Sequence, residues 1–526
     1  MDEMDTKLNS LSLEGVPSEH KLFLRLKSAL EGDRSSNDLK DLIRAAEANS
    51  LAEEIDPLTI VPLLLPSSVD GVKDFLDLIG TLSNAKEIMI AVQESAEKLG
   101  NLLRASTEDE DHVKDADDDK VSNPDQVVRI IELYSAAIPR LLKLLIQFVG
   151  NESNSQESRN LLVSILQLAK SITDWVADDD TEKSKLYIIL QNLLRRTIES
   201  TCRSIKSNVT MKAFRKQFPR LTRPLGPDDA QPNDIIHSVI ESFPLFNINR
   251  THLISNPSVF SLILLAHMDQ SSFEIPELVK FLPVFIVSIQ SNTALDETLA
   301  ILLSSLCPLR SSRSDVPSTF TIPIVHVLAP LASSHPDPEI RHVSYRLLST
   351  TLGLTPSHVR LRLLLDLISD SETSLPQMRI AAISLVREAV LEALSQPATS
   401  NPTNQNAFTS PLFMSELGST IFRQYPSDLF VAEIPAEEFL DTPEPLRLVE
   451  ALTLYTILVQ KDVDNRTGVR DVDVLQEMDW TLLHPLNKQL RIWKEECTES
   501  GQTGHEVMQS WVIGPSDPFD IVHDCI

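Results

Sequence analysis

The chain has little glycine, few aromatic residues and few cysteines, and each shortage excludes a class of protein. Only 13 of its 526 residues are glycine, about a third of the ~7% found in an average protein. Nucleotide-binding α/β folds need glycine in their phosphate loops, and β-sandwiches need it in their turns. Aromatic residues make up only 5% of the chain, whereas leucine, isoleucine, serine and alanine are abundant. This composition favours an all-α fold.

The four cysteines, Cys202, Cys307, Cys497 and Cys525, lie far apart, and no two have the spacing of a zinc site or a redox motif. The acidic N-terminus lacks the apolar core of a signal peptide. No run of about 18 uncharged apolar residues is present, so we expect no membrane span. We therefore expect free thiols and a cytoplasmic location, with the nucleus as the second compartment.

Catalytic and cofactor motifs are also missing. The sequence contains no phosphate-binding loop, no dinucleotide fingerprint and no nucleophile elbow. The segment from His505 begins like a zinc-protease motif, but Gln509 stands where the second histidine ligand is needed. We expect no enzyme, no cofactor and no metal, and a hydrolase within the helical fold is only a remote alternative.

The net charge of −28 comes from 47 basic and 75 acidic residues. A chain this acidic is repelled by phosphate backbones, so we expect no direct binding to nucleic acid. The same charge helps to keep a large surface soluble.

Two segments 38 residues apart have the same types of residue at corresponding positions. Pro338 corresponds to Pro376 and Arg341 to Arg379, and an amphipathic pattern follows each proline. Proline is tolerated at the first position of a helix, where its missing N–H has no helical partner. A period near 40 with two helices per period is typical of HEAT and armadillo repeats, which bury their apolar faces by stacking. The sequence therefore predicts an all-α, HEAT/armadillo-like α-solenoid.

Composition and periodicity divide the chain into five parts. These are N-terminal helical repeats (1–103), an acidic disordered linker (104–124), central HEAT-like repeats (125–394), a flexible polar insertion (395–410), and C-terminal helical repeats with a tail (411–526). The linker contains a run with eight acids, which is typical of a solvated loop. The alternative is that this run contacts a basic partner.

A basic segment interrupts the acidic chain between Arg195 and Arg223. It contains nine basic residues and a single acid, Glu199. One interpretation is a solvated face that balances the acidic bulk of the chain. The other is a docking patch for an acidic segment, for which the 107–119 run of the same chain is one candidate.

The C-terminal block carries three of the four tryptophans. Tryptophan and arginine are enriched at the hot spots of protein interfaces, and the last repeats of a solenoid have only one neighbour. We expect Arg466, Arg470, Trp493 and Trp511 to contribute to a partner-binding surface. Trp480 precedes a pair of leucines, and we expect it to close the core of the last repeat.

Three stretches together resemble the YAP-binding / aberrant-lateral-root-formation / glomulin family. They are Leu58–Leu99, the helical repeat around Arg341, and Leu454–Val469, which is the most specific of the three. The third stretch looks like the family's apolar helix followed by its Asp, Asn and Thr-Gly positions. These positions are Asp462, Asn465, Thr467 and Gly468. Asn465 and Gly468 suit left-handed or turn geometry beyond a helix C-terminus.

The resemblance implies a HEAT-like adaptor. Fungal members of the family are associated with YAP-type bZIP transcription factors and the oxidative-stress response, and one relative is linked to the kinetochore. The animal member binds the RING subunit of cullin ubiquitin ligases and blocks docking of the ubiquitin-conjugating enzyme. The leading expectation is an adaptor that supports a YAP-type bZIP factor, and the alternative is a glomulin-like inhibitor of a cullin–RING ligase. The polar insertion at 395–410 departs from the compact family pattern.

Overall fold

The described part of the chain forms helices. The computed structural model describes residues 18–31, 39–44, most of 56–98, short pieces between 128 and 199, 208–221, 234–242, 248–268, 272–312, 316–369, 376–396, 406–426, 429–430 and 434–499. The elements within these ranges are α-helices with short 3₁₀ and π segments. The prediction of an all-α fold is thereby confirmed. The proposed linker at 104–124 and residues 397–405 of the polar insertion lie outside the described residues.

The α-helices are numbered in chain order. They are α1 Ser18–Glu31, α2 Pro57–Leu64, α3 Val72–Leu82, α4 Val209–Gln217, α5 Asp234–Glu241, α6 Arg250–Ser255, α7 Val259–His267, α8 Ile275–Ser291, α9 Leu295–Ser312, α10 Ser318–Ser334, α11 Pro338–Gly353, α12 Ser357–Ile368, α13 Pro376–Leu394, α14 Ser419–Ile421, α15 Ala436–Leu440, α16 Glu444–Lys461, α17 Val472–Met478 and α18 His484–Glu499. The 3₁₀ segments are Pro219–Leu221 and Ala407–Thr409, and the π segments are Phe413–Gly418 and Asp479–Leu483. None of the helices within the described residues is both long enough and apolar enough to cross a bilayer.

The chain divides into two compact units. Unit 1 comprises Met1–Asn208 and Arg223–Gln270, and unit 2 comprises Val209–Thr222 and Ser271–Ile526. In unit 1, α2 packs on α3, and α7 packs on α5 and α6. Residues from Phe260 to the end of α7 are all buried, so this helix forms the centre of its cluster.

Unit 2 is built from helices that pack on their neighbours and also on the helix after next. The helix α10 packs on α11, α12 packs on α13, and α13 packs on α16. In addition, α8 packs on α10 and α9 packs on α11. The buried side chains of these contacts include Phe285, Leu303, Phe320, Leu347 and Val386. Each helix pair therefore buries its apolar face against the next pair.

The two predicted proline starts are confirmed. Pro338 is the first residue of α11 and Pro376 is the first residue of α13. The carboxylate of Asp337 accepts a hydrogen bond of 2.8 Å from the backbone N of Glu339, which caps α11. Proline therefore occupies a position at which a backbone N–H would have no acceptor within the helix.

Polar side chains join α9, α11 and α13 at regular intervals. Arg310 Nη1 lies 3.4 Å from Ser349 Oγ, and Ser349 Oγ donates to Glu388 Oε2 at 2.9 Å. The partners are 39 residues apart in both cases. The series continues to α16, because Arg387 Nη1 contacts Glu450 Oε2 at 2.7 Å. We call Arg310, Ser349, Glu388, Arg387 and Glu450 the side-chain ladder.

Candidate protein-binding surface

A tight turn follows α16, and the buried carboxylate of Asp462 holds it. This carboxylate accepts hydrogen bonds from the backbone N of Arg466 at 2.8 Å and from the backbone N of Thr467 at 2.7 Å. It also accepts a bond of 2.6 Å from the hydroxyl of Thr467. Asp462 and Thr467 are both buried. The buried charge is compensated because three donors point at it.

The turn contains two residues with left-handed backbone conformations. Asn465 has a φ of 54° and Gly468 a φ of 81°, which agrees with the turn geometry predicted for them. The side-chain oxygen of Asn465 accepts from the backbone N of Arg470 at 2.8 Å, and its amide donates to Asp471 Oδ1 at 2.8 Å. The four family-motif positions therefore stabilise the turn through their own hydrogen bonds and backbone conformations.

The two predicted arginines lie on this turn. Arg466 Nη1 donates to the backbone O of Gln396 at 3.2 Å, and Arg470 Nη2 donates to the backbone O of Val459 at 2.6 Å. Arg470 is exposed and Arg466 is half-buried. Each guanidinium has more donors than these bonds use, so a role in partner binding stays a prediction for both.

The structure reverses the expectation for the two described tryptophans. Trp493 is only 2% exposed, its ring stacks on Phe439 with centroids 4.6 Å apart, and its Nε1 donates to the backbone O of Ile434 at 2.8 Å. Trp480, by contrast, is 78% exposed. Placing Trp493 on the surface and Trp480 in the core was therefore wrong. Trp511 lies outside the described residues.

The phase of the buried residues explains this reversal. Met478, Leu482, Leu486 and Trp493 are all buried and recur at helical spacing. Trp480 comes two residues after Met478, which is about 200° around a helix, so it points away from that buried stripe. The signal was present in the sequence, but the leucine pair next to Trp480 suggested burial.

Four apolar side chains are exposed on the turn, on α17 and on the π segment that follows it. Val463 is 74% exposed and Val472 is 67% exposed, and Leu475 and Trp480 are exposed as well. We call the set Val463, Val472, Leu475 and Trp480 the C-terminal surface. Sequence reasoning missed all four as partner-binding candidates. An exposed tryptophan is a typical anchor for a protein partner.

Acidic side chains are interspersed in the sequence with the residues of the C-terminal surface. The exposed acids between its first and last residue are Asp464, Asp471, Asp473, Glu477 and Asp479. The charge of Asp479 also affects Tyr455 on α16. Burial and this charge both raise the pKa of the Tyr455 hydroxyl. The surface thus combines apolar anchors with negative charge.

A buried ion pair fixes the start of α16. Arg447 Nε donates to Glu444 Oε2 at 2.7 Å and Arg447 Nη2 donates to Glu444 Oε1 at 2.6 Å. The same guanidinium bonds the backbone O atoms of Ile421 at 2.8 Å and Arg423 at 2.5 Å. Both charged side chains are almost fully buried. The pair therefore ties α16 to the last residue of α14 and to the chain just after it.

The comparisons with known proteins concern the same part of the chain. Residues 258–513 match the model of an uncharacterised protein family described as YAP/Alf4/glomulin. This stretch contains the turn, the C-terminal surface and the side-chain ladder. No curated protein gives a significant match to the chain.

Proposed function

We propose that the protein is a non-enzymatic helical adaptor that binds other proteins, because residues 258–513 match the model of the YAP/Alf4/glomulin family. The observation that carries this proposal is the exposure of Trp480 within the family-matched region. A tryptophan 78% exposed to water contributes little to its own fold but can bury a large area against a partner.

The packing of unit 2 supports the solenoid architecture that the repeat spacing predicts. Helices two apart in the chain pack on each other, and the ladder joins Arg310, Ser349 and Glu388 at constant separation. Equivalent positions meet in this way when structural repeats stack in register. In the proposed solenoid, the C-terminal surface belongs to the last repeats.

The chemistry of the C-terminal surface defines the partner segment that it would take. Its apolar residues require apolar side chains on the partner, and the acids around them favour lysine or arginine beside those side chains. Complementary charge accelerates association and selects among partners. We propose a segment of a YAP-type bZIP factor as the leading partner, in the oxidative-stress response. The RING subunit of a cullin ligase is the alternative, and the cytoplasm, with the nucleus second, is the proposed location.

Affinity capture distinguishes the two partners. The tagged full-length chain is recovered from cells with and without peroxide treatment, and the bound proteins are identified by mass spectrometry. Enrichment of a bZIP factor supports the leading proposal, and enrichment of a RING–cullin pair supports the alternative. Recovery of neither partner under both conditions contradicts both proposals.

A pair of variants tests the surface itself. Trp480→Ala should weaken binding of the identified partner at least tenfold, because truncation of a hot-spot residue typically costs about 2 kcal/mol or more. The matched control is Val287→Ala on α8, which removes another exposed apolar side chain (55% exposed) and should leave binding unchanged. Helicity is compared by circular dichroism. Wild-type affinity in Trp480→Ala would show that the partner binds elsewhere.

A further inference from the structure

The helix α4 belongs to unit 2 as part of the segment Val209–Thr222, although the residues up to Asn208 and from Arg223 onwards belong to unit 1. It packs on α9, and Asp296 of α9 fixes its first turn. The carboxylate of Asp296 accepts from the backbone N of Val209 at 2.9 Å and from the backbone N of Thr210 at 3.0 Å. The hydroxyl of Thr210 also donates to the backbone O of Asp296. The helix is thus held in one orientation at its N-terminus.

One face of α4 is buried by aromatic contacts. Phe214 is buried, and its ring lies 5.0 Å from the ring of Phe218 and 5.5 Å from the imidazole of His342 on α11. These contacts fix the rotation of α4 about its axis. The opposite face is therefore presented to solvent in a defined way.

The outward face of α4 carries two exposed cations, and a third lies in the 3₁₀ segment Pro219–Leu221 that follows the helix. They are Lys212, Lys216 and Arg220, spaced at i, i+4 and i+8, and all three are exposed. We call these three residues the basic stripe. None of them forms an ion pair with any residue that the structure describes.

The basic stripe is unusual for this chain and is not explained by helix stability. Residues 200–227 contain no acid at all, although the whole chain has 75 acids and a net charge of −28. Like charges one turn apart destabilise a helix. The helix dipole favours cations at the C-terminal end, which accounts for Lys216 but not for Lys212 in the first half of α4.

We propose that the basic stripe is a second docking surface, which takes an acidic segment of a partner protein. Three exposed cations at intervals of four residues match the carboxylates of a helical peptide or of an extended acidic run. This surface is separate from the C-terminal surface, and its occupant has the opposite charge.

An acidic peptide fits the stripe better than nucleic acid does. The field of the stripe acts within a Debye length of about 8 Å at physiological salt, which is enough for a few carboxylates. A nucleic acid extends beyond that range and would meet the net negative charge of the rest of the chain.

The experiment measures binding of the full-length chain to a fluorescein-labelled peptide of eight glutamates by fluorescence anisotropy at low salt. The stripe variant is Lys212→Gln with Lys216→Gln and Arg220→Gln. The control variant is Lys280→Gln with Arg362→Gln and Lys488→Gln, which removes three exposed cations elsewhere in unit 2. We expect the stripe variant to bind the peptide at least tenfold more weakly and the control variant to stay within twofold of wild type.

A charge-conserving variant shows whether a loss of peptide binding comes from the lost charges or from unfolding. Lys212→Arg with Lys216→Arg and Arg220→Lys should retain peptide binding and wild-type helicity. The proposal is overturned if the stripe and control variants lose binding equally, or if the wild-type chain does not bind the peptide. It is also overturned if a labelled 20-nucleotide single-stranded DNA binds more tightly than the peptide and loses that binding in the stripe variant. Because the readout is peptide binding, it is independent of capture of the bZIP or RING partner.

Discussion

Asp462 illustrates how a single buried side chain can determine a turn. Its carboxylate accepts three hydrogen bonds, from the backbone N of Arg466 and from the backbone N and hydroxyl of Thr467. Asp462→Ala removes all three and leaves buried donors without an acceptor. Hydrogen bonds to charged groups contribute about 1.5–3 kcal/mol each, so we expect the variant to lose at least about 3 kcal/mol of unfolding free energy in urea titrations, even where water replaces part of the lost bonding.

The control for this variant lies in the same turn. Asp464 is exposed, and Asp464→Ala should change stability by no more than about 0.5 kcal/mol. Hydrogen exchange of the peptide that contains Thr467 reports the local effect. A loss smaller than about 1 kcal/mol in Asp462→Ala, with unchanged exchange, would contradict the role of the carboxylate.

Cys307 should be a slow nucleophile. Burial raises the pKa of its thiol from 9.0 to about 11, although a hydrogen bond with Thr350 and the charge of Arg310 act in the opposite direction. The thiolate is the reactive form, so alkylation by iodoacetamide at pH 8 should be about a hundredfold slower in the native chain than in urea. Mass spectrometry of the peptide containing Cys307 measures the rate, and equal rates would contradict the prediction.

The same pKa shift has a consequence for stability. Because the pKa of Cys307 is raised in the folded state, the protonated thiol stabilises the fold. This stabilisation is fully present below pH 9. It is lost as the pH rises from 9 towards 11. Cys307→Ser, with a hydroxyl that does not ionise in this range, should remove this part of the alkaline destabilisation.

At the residue scale, the sequence predicts backbone requirements better than side-chain exposure. Asn465 and Gly468 were predicted in turn geometry because few residues tolerate a positive φ, and both adopt it. The exposure of Trp480 and Trp493 was predicted wrongly, because it depends on which helix face the neighbouring elements cover. That face is set by Phe430, Ile434 and Phe439, which contact Trp493 although they lie far from it in the chain.

At the scale of the element, α16 depends on the ion pair between Glu444 and Arg447. Arg447→Met leaves the carboxylate of Glu444 buried beside an apolar side chain. Loss of one partner of a buried pair typically costs about 3–5 kcal/mol, and the variant should lose stability by that amount in urea titrations.

The double variant tests whether the pair acts as a unit. Glu444→Gln combined with Arg447→Met removes both charges, so we expect a loss smaller than the sum of the two single losses. Glu444 also accepts a bond of 3.1 Å from the backbone N of Tyr425, which glutamine can still accept. Additive losses would show that the two side chains stabilise α16 independently.

Helix starts were predictable where their cause is local. Pro338 and Pro376 begin their helices because proline has no N–H to leave unpaired. The position of α4 in unit 2 was not predictable, because it rests on hydrogen bonds that the backbone N atoms of Val209 and Thr210 donate to the carboxylate of Asp296, 87 and 86 residues further along the chain. Such pairings depend on tertiary packing and leave no periodic signal in the sequence.

At the scale of the whole molecule, the acidic run at 107–119 provides a test of the sequence interpretation. It lies outside the described residues, and its prediction as a solvated loop depends on composition alone. Deletion of the run should change the melting temperature by no more than about 2 °C, because the closure entropy of a loop varies slowly with its length. A large decrease in differential scanning calorimetry would show that the run is packed.

The side-chain ladder also gives unit 2 a mechanical property. It joins α9 to α11, α11 to α13 and α13 to α16 through side chains that contact across each interface. If unit 2 is stretched between two attached beads, helices outside the ladder can peel away one after another, as expected for stacked repeats. The four helices of the ladder share the load instead, so they resist sliding past one another and should rupture together. The force trace would then show small steps and one larger event.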